Sequence, residues 1–213
     1  MNSFILKIIA CVSMLLDHSG YVIFGEPSFL NYIGRFAFPI FAYQISLGYI
    51  HTSSKRNYLI RLLVFALISQ APFALFLGTL TTKFTFNIFF TLILGFLAIL
   101  IFDKIKFKSL GILIACLLAY IGQALNVDYG AYGVMIIFMF YLFRENKFFM
   151  TSSFLIAVSV LYFNRFSLFT LFTMLAIIPI LLYNKKQGKK TKYFLYVFYP
   201  VHLFILYLIA MIS

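Results

Sequence analysis

The chain has 213 residues, 64% of them hydrophobic and only 10% charged, and it carries a formal net charge of +12. Soluble domains average roughly 45–50% apolar and about 25% charged residues, so this composition excludes an ordinary soluble domain and marks an integral membrane protein. The apolar runs are long and unbroken, without the two-residue alternation of a transmembrane barrel, which leaves helices.

A helix that crosses the hydrocarbon core needs about 20 mostly apolar residues. Nine stretches approach that length: 4–24, 29–50, 58–77, 84–102, 110–125, 131–143, 148–163, 166–183 and 193–212. The sixth and seventh are short for full crossings. The first holds Asp17 and His18 in its core and is followed by no small-residue cleavage site, so it reads as a span, not a signal peptide. Connectors of a few residues predict one all-α polytopic domain over 1–213, with no soluble appendage and no internal repeat. Without Trp, the fifteen Tyr are the expected interfacial anchors. Cys11 and Cys116 each fall inside an apolar run and read as small buried hydrophobes.

The charge has a distribution that fixes orientation. Lys7, then Lys55, Arg56 and Arg61, then Lys104, Lys106 and Lys108, then Arg144 and Lys147 fall on one set of alternate loops. Lys185, Lys186, Lys189, Lys190 and Lys192 complete that set, leaving only Arg35, Lys83 and Arg165 for the other side. By the positive-inside rule the N-terminus is cytoplasmic, and an odd number of crossings carries the C-terminus outside. The basic excess is therefore a topology signal and not a nucleic-acid footprint. Its last run suits anionic-lipid contact as a second role.

Orientation gives the polar residues a depth. Asp17 and His18 lie roughly 20 Å from the inner end of the first helix, where an ionisable group needs a partner or a cavity. Arg35, Gln70, Asn87, Gln123 and the Asp128-Tyr129-Gly130 turn fall in the same outer half. Helical spacing puts Arg35, Pro39 and Ser46 on one face, and Asn87, Thr91 and Gly95 on another. Pro39, Pro72, Pro179 and Pro200 lie within spans, and Tyr199 and His202 form a Tyr/His pair in the last one. His18 suits general-base work because the reference imidazole titrates near neutrality. Asp17 either orients that ring or pairs with Arg35. Gln70, Asn87, Thr91, Gln123, Asp128, Tyr129, Tyr199 and His202 are the candidate acceptor-side residues. For Gln70, Asn87 and Gln123 the alternative is helix–helix hydrogen bonding, for Asp128 a local turn bond, and for His202 a buried structural His. No metal-ligand spacing, P-loop or dinucleotide fingerprint is present.

The ordered motifs Asp17-His18-Ser19-Gly20, Gly34-Arg35-Phe36-Ala37-Phe38-Pro39, Ser69-Gln70-Ala71-Pro72-Phe73 and Asn87-Ile88-Phe89-Phe90-Thr91 resemble the TraX family. Asp128-Tyr129-Gly130-Ala131-Tyr132-Gly133 and Phe198-Tyr199-Pro200-Val201-His202 extend the resemblance over nearly the whole chain. It implies kinship with the transmembrane acyltransferases and an F-pilin N-terminal acetylase as the type activity. His18 then matches the catalytic histidine, and Lys55, Arg56 and Arg61 match a basic stretch tied to CoA. The implied protein is a multi-pass inner-membrane acetyltransferase. It would take acetyl-CoA as donor, its pantetheine arm reaching between helices, and an amine or hydroxyl on a protein or glycan as acceptor. The rival classes are a transporter with an intramembrane polar site and a non-catalytic assembly factor.

Overall fold

The computed structural model describes residues 1–25, 27–163, 167–189 and 193–212. Arg165, Phe166, Lys190, Lys192 and Ser213, which entered the span and charge readings, lie outside these described residues. The regular elements among the described residues are helices: α1 (Ser3–Phe24), α2 (Phe29–Gly34), α3 (Ala37–His51), α4 (Lys55–Gly78), α5 (Ile88–Lys104) and α6 (Lys108–Ala124). They continue through α7 (Gly130–Leu142), α8 (Lys147–Leu161), α9 (Leu168–Leu175), α10 (Ile177–Leu181) and α11 (Phe194–Ala210). β-Pairing among the described residues is limited to an isolated bridge between Phe86 and Val127.

Two of the expected continuous stretches are broken. The stretch 29–50 divides into α2 and α3 after Gly34, and 166–183 divides into α9 and α10 at Ala176. Proline accounts for both. Its ring clashes with the carbonyl four residues earlier and has no donor to offer it. For Pro39 that carbonyl belongs to Arg35, and for Pro179 to Leu175. The helix ends there, and the amides of Arg35, Phe36 and Ala176 fall back to the carbonyls of Tyr32, Ile33 and Thr173, each at 3.2 Å. Each proline then occupies the first turn of the next helix, where an N–H would have no intrahelical partner. Pro72 and Pro200 remain inside α4 and α11.

The helix ends correct two of the expected faces. Arg35 is the C-terminal cap of α2 and lies outside α3, the helix that carries Pro39 and Ser46. Asn87 precedes α5 as its N-cap in extended backbone, so it does not share a helical face with Thr91 and Gly95.

Among the described helices, α1 and α4 are long and apolar enough to cross a membrane, while the other apolar helices fall short of 18 residues. Their outer faces are apolar nonetheless. Leu63, Val64, Leu67 and Ile68 on α4, Leu113 and Leu117 on α6, and Val201, Phe204, Ile205 and Leu208 on α11 are all exposed. Three- and four-residue spacing makes these exposed stripes, the inverse of a water-soluble helix. Cys116, expected to be buried, is exposed on the same side of α6. The buried face of that helix is instead the small-residue row Gly111, Ala115, Ala119 and Gly122.

Packing divides the chain into two compact units, Met1–Phe41 with Ala71–Thr82 and Phe154–Ser213, and Ala42–Gln70 with Lys83–Ser153. In the first, α1 packs on α2 and α11, and α2 on α9. The start of α1 is clipped to the stretch after α10. The Met1 ammonium donates to the Leu182 carbonyl at 2.9 Å, Asn184 N–H to Met1 at 2.8 Å, and Ser3 N–H to Lys186 at 2.9 Å. The beginning of α1 and the basic residues Lys185 and Lys186 thus share one end of this unit, as the charge pattern expects. In the second unit α5, α6 and α7 pack on one another.

Candidate functional site

In the first unit the site is built where α1 meets α2. Gly20 and Gly34 permit the approach: a Cβ at Gly34 would overlap the Asp17 side chain, and one at Gly20 would overlap Asn31 and Ser28. Asp17 therefore fits against one glycine and Asn31 against the other. Asn31 is fully buried and donates from Nδ2 to the Asp17 carbonyl at 2.6 Å. Its Oδ1 accepts from Ser28 N–H at 2.8 Å and from Ser28 Oγ at 2.9 Å, closing the first turn of α2. Arg35, placed at the end of α2 by the proline break, donates from Nη2 to Asp17 Oδ1 at 2.5 Å. Its Nε donates to the Asn31 carbonyl at 3.2 Å, and the guanidinium lies 5.3 Å from the centre of the Phe169 ring. The pair is largely buried, with side chains 18% and 14% exposed, so the two charges compensate each other away from water. Asp17 thus partners Arg35, the second of its two expected roles.

His18, the next residue on α1, turns to α11. Its Nδ1 is 2.9 Å from His202 Nε2, and His202 Nδ1 is 2.8 Å from the Phe198 carbonyl. Phe76 packs on His18 with ring centres 5.1 Å apart; Phe198 and Tyr199 pack on His202 at 4.8 and 5.8 Å. His202 and Tyr199 are both buried. The structure therefore brings His18, His202, Tyr199, Asp17 and Arg35 into one neighbourhood.

The remaining acceptor-side candidates close a separate network in the second unit. Gln70 donates to the Thr85 carbonyl at 3.0 Å and accepts from Asn87 N–H at 3.0 Å and Asn87 Nδ2 at 2.8 Å. Asn87 Nδ2 also donates to the Ala66 carbonyl at 2.7 Å, so both of its amide hydrogens are engaged, and its Oδ1 caps Phe89 N–H at 3.0 Å. Thr91 Oγ1 donates to the Asp128 carbonyl, and Asp128 N–H to Phe86. Tyr129 is in the left-handed region at φ 62° before α7, and Gln123 caps the start of that helix through Ala131 N–H at 3.2 Å.

Of the basic stretch, Lys55 Nζ donates to the Tyr49 and Thr52 carbonyls at the end of α3 and lies over the Tyr49 ring. Arg61 lies 5.3 Å from the Tyr58 ring centre. Arg56 is exposed.

A model of the family described as TraX protein matches residues 3–210. The chain belongs to the TraX family. It is also similar to a probable fimbrial assembly protein FimC, serogroup H1, of Dichelobacter nodosus. Identity is 28% over 231 residues, covering 96% of this chain and 94% of that protein. No solved structure matches.

In this TraX chain the two earliest motifs are halves of one arrangement. Asp17-His18-Ser19-Gly20 and Gly34-Arg35 interlock, acid against glycine and acid against arginine. Sequence reasoning missed Asn31, which joins them. Its signal was present: a Ser three residues ahead of an Asn in an apolar run is a helix-start pattern. It also missed Asp103, which accepts from Tyr49 at 2.7 Å and Tyr141 at 2.9 Å. An acid that is one of only five in the chain was the available clue.

Proposed function

We propose that this protein is a polytopic inner-membrane acyltransferase, moving an acetyl group from cytoplasmic acetyl-CoA to an amine or hydroxyl at the outer face. Family membership supports the class, and the name of the FimC relative supports a fimbrial subunit, through its N-terminal amine, as the acceptor. The exposed apolar stripes and the one-sided basic loops support about nine crossings with the N-terminus inside.

The observation that carries the reading is the division of labour around Asp17. The carboxylate and guanidinium answer each other, and His18 is left hydrogen-bonded to another imidazole. Neither charged group competes for the proton that His18 would take. In the reaction the acceptor nitrogen or oxygen attacks the thioester carbonyl carbon and loses its proton to His18. The C–S bond then breaks, and the thiolate of CoA takes that proton back and leaves as the thiol. Arg56 is the residue best presented to the donor's phosphates, with Arg61 behind it.

A positioned general base contributes about 10²–10⁴-fold. Purified His18→Asn protein in detergent should therefore keep its melting midpoint and bind acetyl-CoA, while acetyl transfer falls by about that factor. A well-folded His18→Asn protein transferring at the wild-type rate would end the catalytic assignment and favour an assembly role.

A further inference from the structure

Two hydrogen bonds in series determine which nitrogen of His18 can accept a proton. A backbone carbonyl only accepts, so the 2.8 Å contact with the Phe198 carbonyl requires the hydrogen of His202 to sit on Nδ1. In a neutral ring the lone pair of His202 is then on Nε2. That atom is 2.9 Å from His18 Nδ1, so His18 must donate there, and its own lone pair is confined to Nε2. The ring planes differ by 5°. Parallel rings in face-to-face contact would hold their atoms about 3.5 Å or more apart. The 2.9 Å approach is therefore edge to edge, the geometry of an N–H···N bond.

The surroundings favour two neutral rings. His202 is buried, and the Asp17 carboxylate that could have stabilised a charged ring is bonded to Arg35 and Asn31. Among the described residues, aromatic rings pack on the pair: Phe76 on His18, and Phe198 and Tyr199 on His202. These rings hold the planes in place without offering a competing anion.

We infer that His202 is a positioning residue that locks His18 in its Nδ1–H form, so that Nε2 is the atom that takes the acceptor's proton. This rests on the proposed acyltransferase reading for its consequence, but the tautomer itself does not. Histidine otherwise prefers the opposite form, with hydrogen on Nε2 and no lone pair there. A base whose reactive atom must be Nε2 gains from a fixed acceptor on its other side, and α11 supplies one from the carbonyl of Phe198 through His202.

The chain has only three histidines, so nitrogen-15 labelling of histidine gives a spectrum that can be assigned by substitution. In the full-length protein in micelles, His18 should show a protonated Nδ1 and an unprotonated Nε2, and His202 the same. In His202→Leu, which removes the acceptor, His18 should change to the Nε2–H form. Transfer should fall by about 10²-fold or more, in kcat rather than KM. His202→Gln keeps an oxygen able to accept near the Nε2 position and should retain most of the activity. A wild-type His18 protonated on Nε2, or a charged His202, overturns the assignment. So does equal turnover of the Leu and Gln variants. Should the Leu variant fail to fold, the wild-type spectrum and the Gln variant still decide. Lack of any transfer by wild-type protein would sink the enzyme reading instead, with the spectrum still reporting the tautomer.

Discussion

In the unit built on α5, α6 and α7, polar side chains bond mainly to backbone. Asn87 and Gln70 serve the carbonyls of Ala66 and Thr85, Thr91 serves Asp128, and Gln123 serves the first turn of α7. In the unit built on α1, α2 and α11 two ionisable pairs bond side chain to side chain, Arg35 to Asp17 and His18 to His202, beside backbone bonds made by Asn31, Arg35 and His202. The difference separates two uses of polarity in an apolar chain. Where a helix starts late or ends early, its exposed backbone groups need partners, and a nearby amide or hydroxyl provides them. A side chain bonded to another side chain satisfies no such need, and its presence calls for a different reason. A second polar cluster in the α5–α7 unit combines both uses. Asp103 is held by two tyrosines, and Lys108 and Arg144 donate to the carbonyls of Phe102 and Tyr141 at 2.8 Å each. With Lys55 on Tyr49, these cations complement the negative ends of α5, α7 and α3.

The largest effect is expected from breaking the ion pair. Asp17→Asn leaves Arg35 largely buried without its counter-charge, which costs on the order of 3 kcal/mol. The unfolding midpoint should drop steeply, with little protein recovered. Exchanging the two, Asp17→Arg with Arg35→Asp, should regain part of the stability and none of the transfer. If Asp17→Asn melts like wild type and loses only activity, the pair is not structural, and the contrast between the units fails on that side.

The sequence made much of this visible. Asp17, His18 and Arg35 stood out because ionisable residues in an apolar stretch are rare enough to demand explanation. Their pairing did not follow from spacing, because Asp17 and His18 point about 100° apart on a helix and either could have faced Arg35. The structure pairs Asp17 with Arg35, which caps α2 at the break between α2 and α3. Pro39 carried that information. A proline in an apolar run reads equally as a kink or a break, and helix length alone does not distinguish them. The depth argument grouped Gln70, Asn87 and Gln123 with His18, yet their described bonds close within the other unit. Depth along a helix constrains one coordinate only. The charge pattern of the basic loops signals topology, and three of their members, Lys55, Lys108 and Arg144, also cap helix ends.

A smaller effect should come from the backbone-serving network. Asn87→Ala removes the cap on Phe89 N–H and the bond to Ala66, for a loss of about 1–2 kcal/mol. Acetyl transfer per folded molecule should stay at the wild-type level. A normal melting midpoint with strongly reduced turnover would move Asn87 to the reacting centre and erase the distinction between the two networks.

The smallest effect is expected at the basic stretch, where the same contrast can be tested between neighbours. Lys55 is bonded to the carbonyls at the end of α3, whereas Arg56 is exposed one residue later. If Arg56 meets a phosphate of the donor, Arg56→Gln removes one solvent-exposed ionic contact, about 0.5–1 kcal/mol and so roughly a two- to five-fold weaker acetyl-CoA affinity. The remaining affinity should also depend less on salt, because exposed charges are screened by ions. Lys55→Gln should do the reverse: leave affinity intact and lower the melting midpoint through the lost helix-end contact. Isothermal titration with acetyl-CoA at two salt concentrations, beside a melt of each variant, reads both quantities. Should Lys55→Gln weaken binding more than Arg56→Gln, the lysine leaves its helix end to reach the donor. These cations would then be part of the binding machinery and not of the frame.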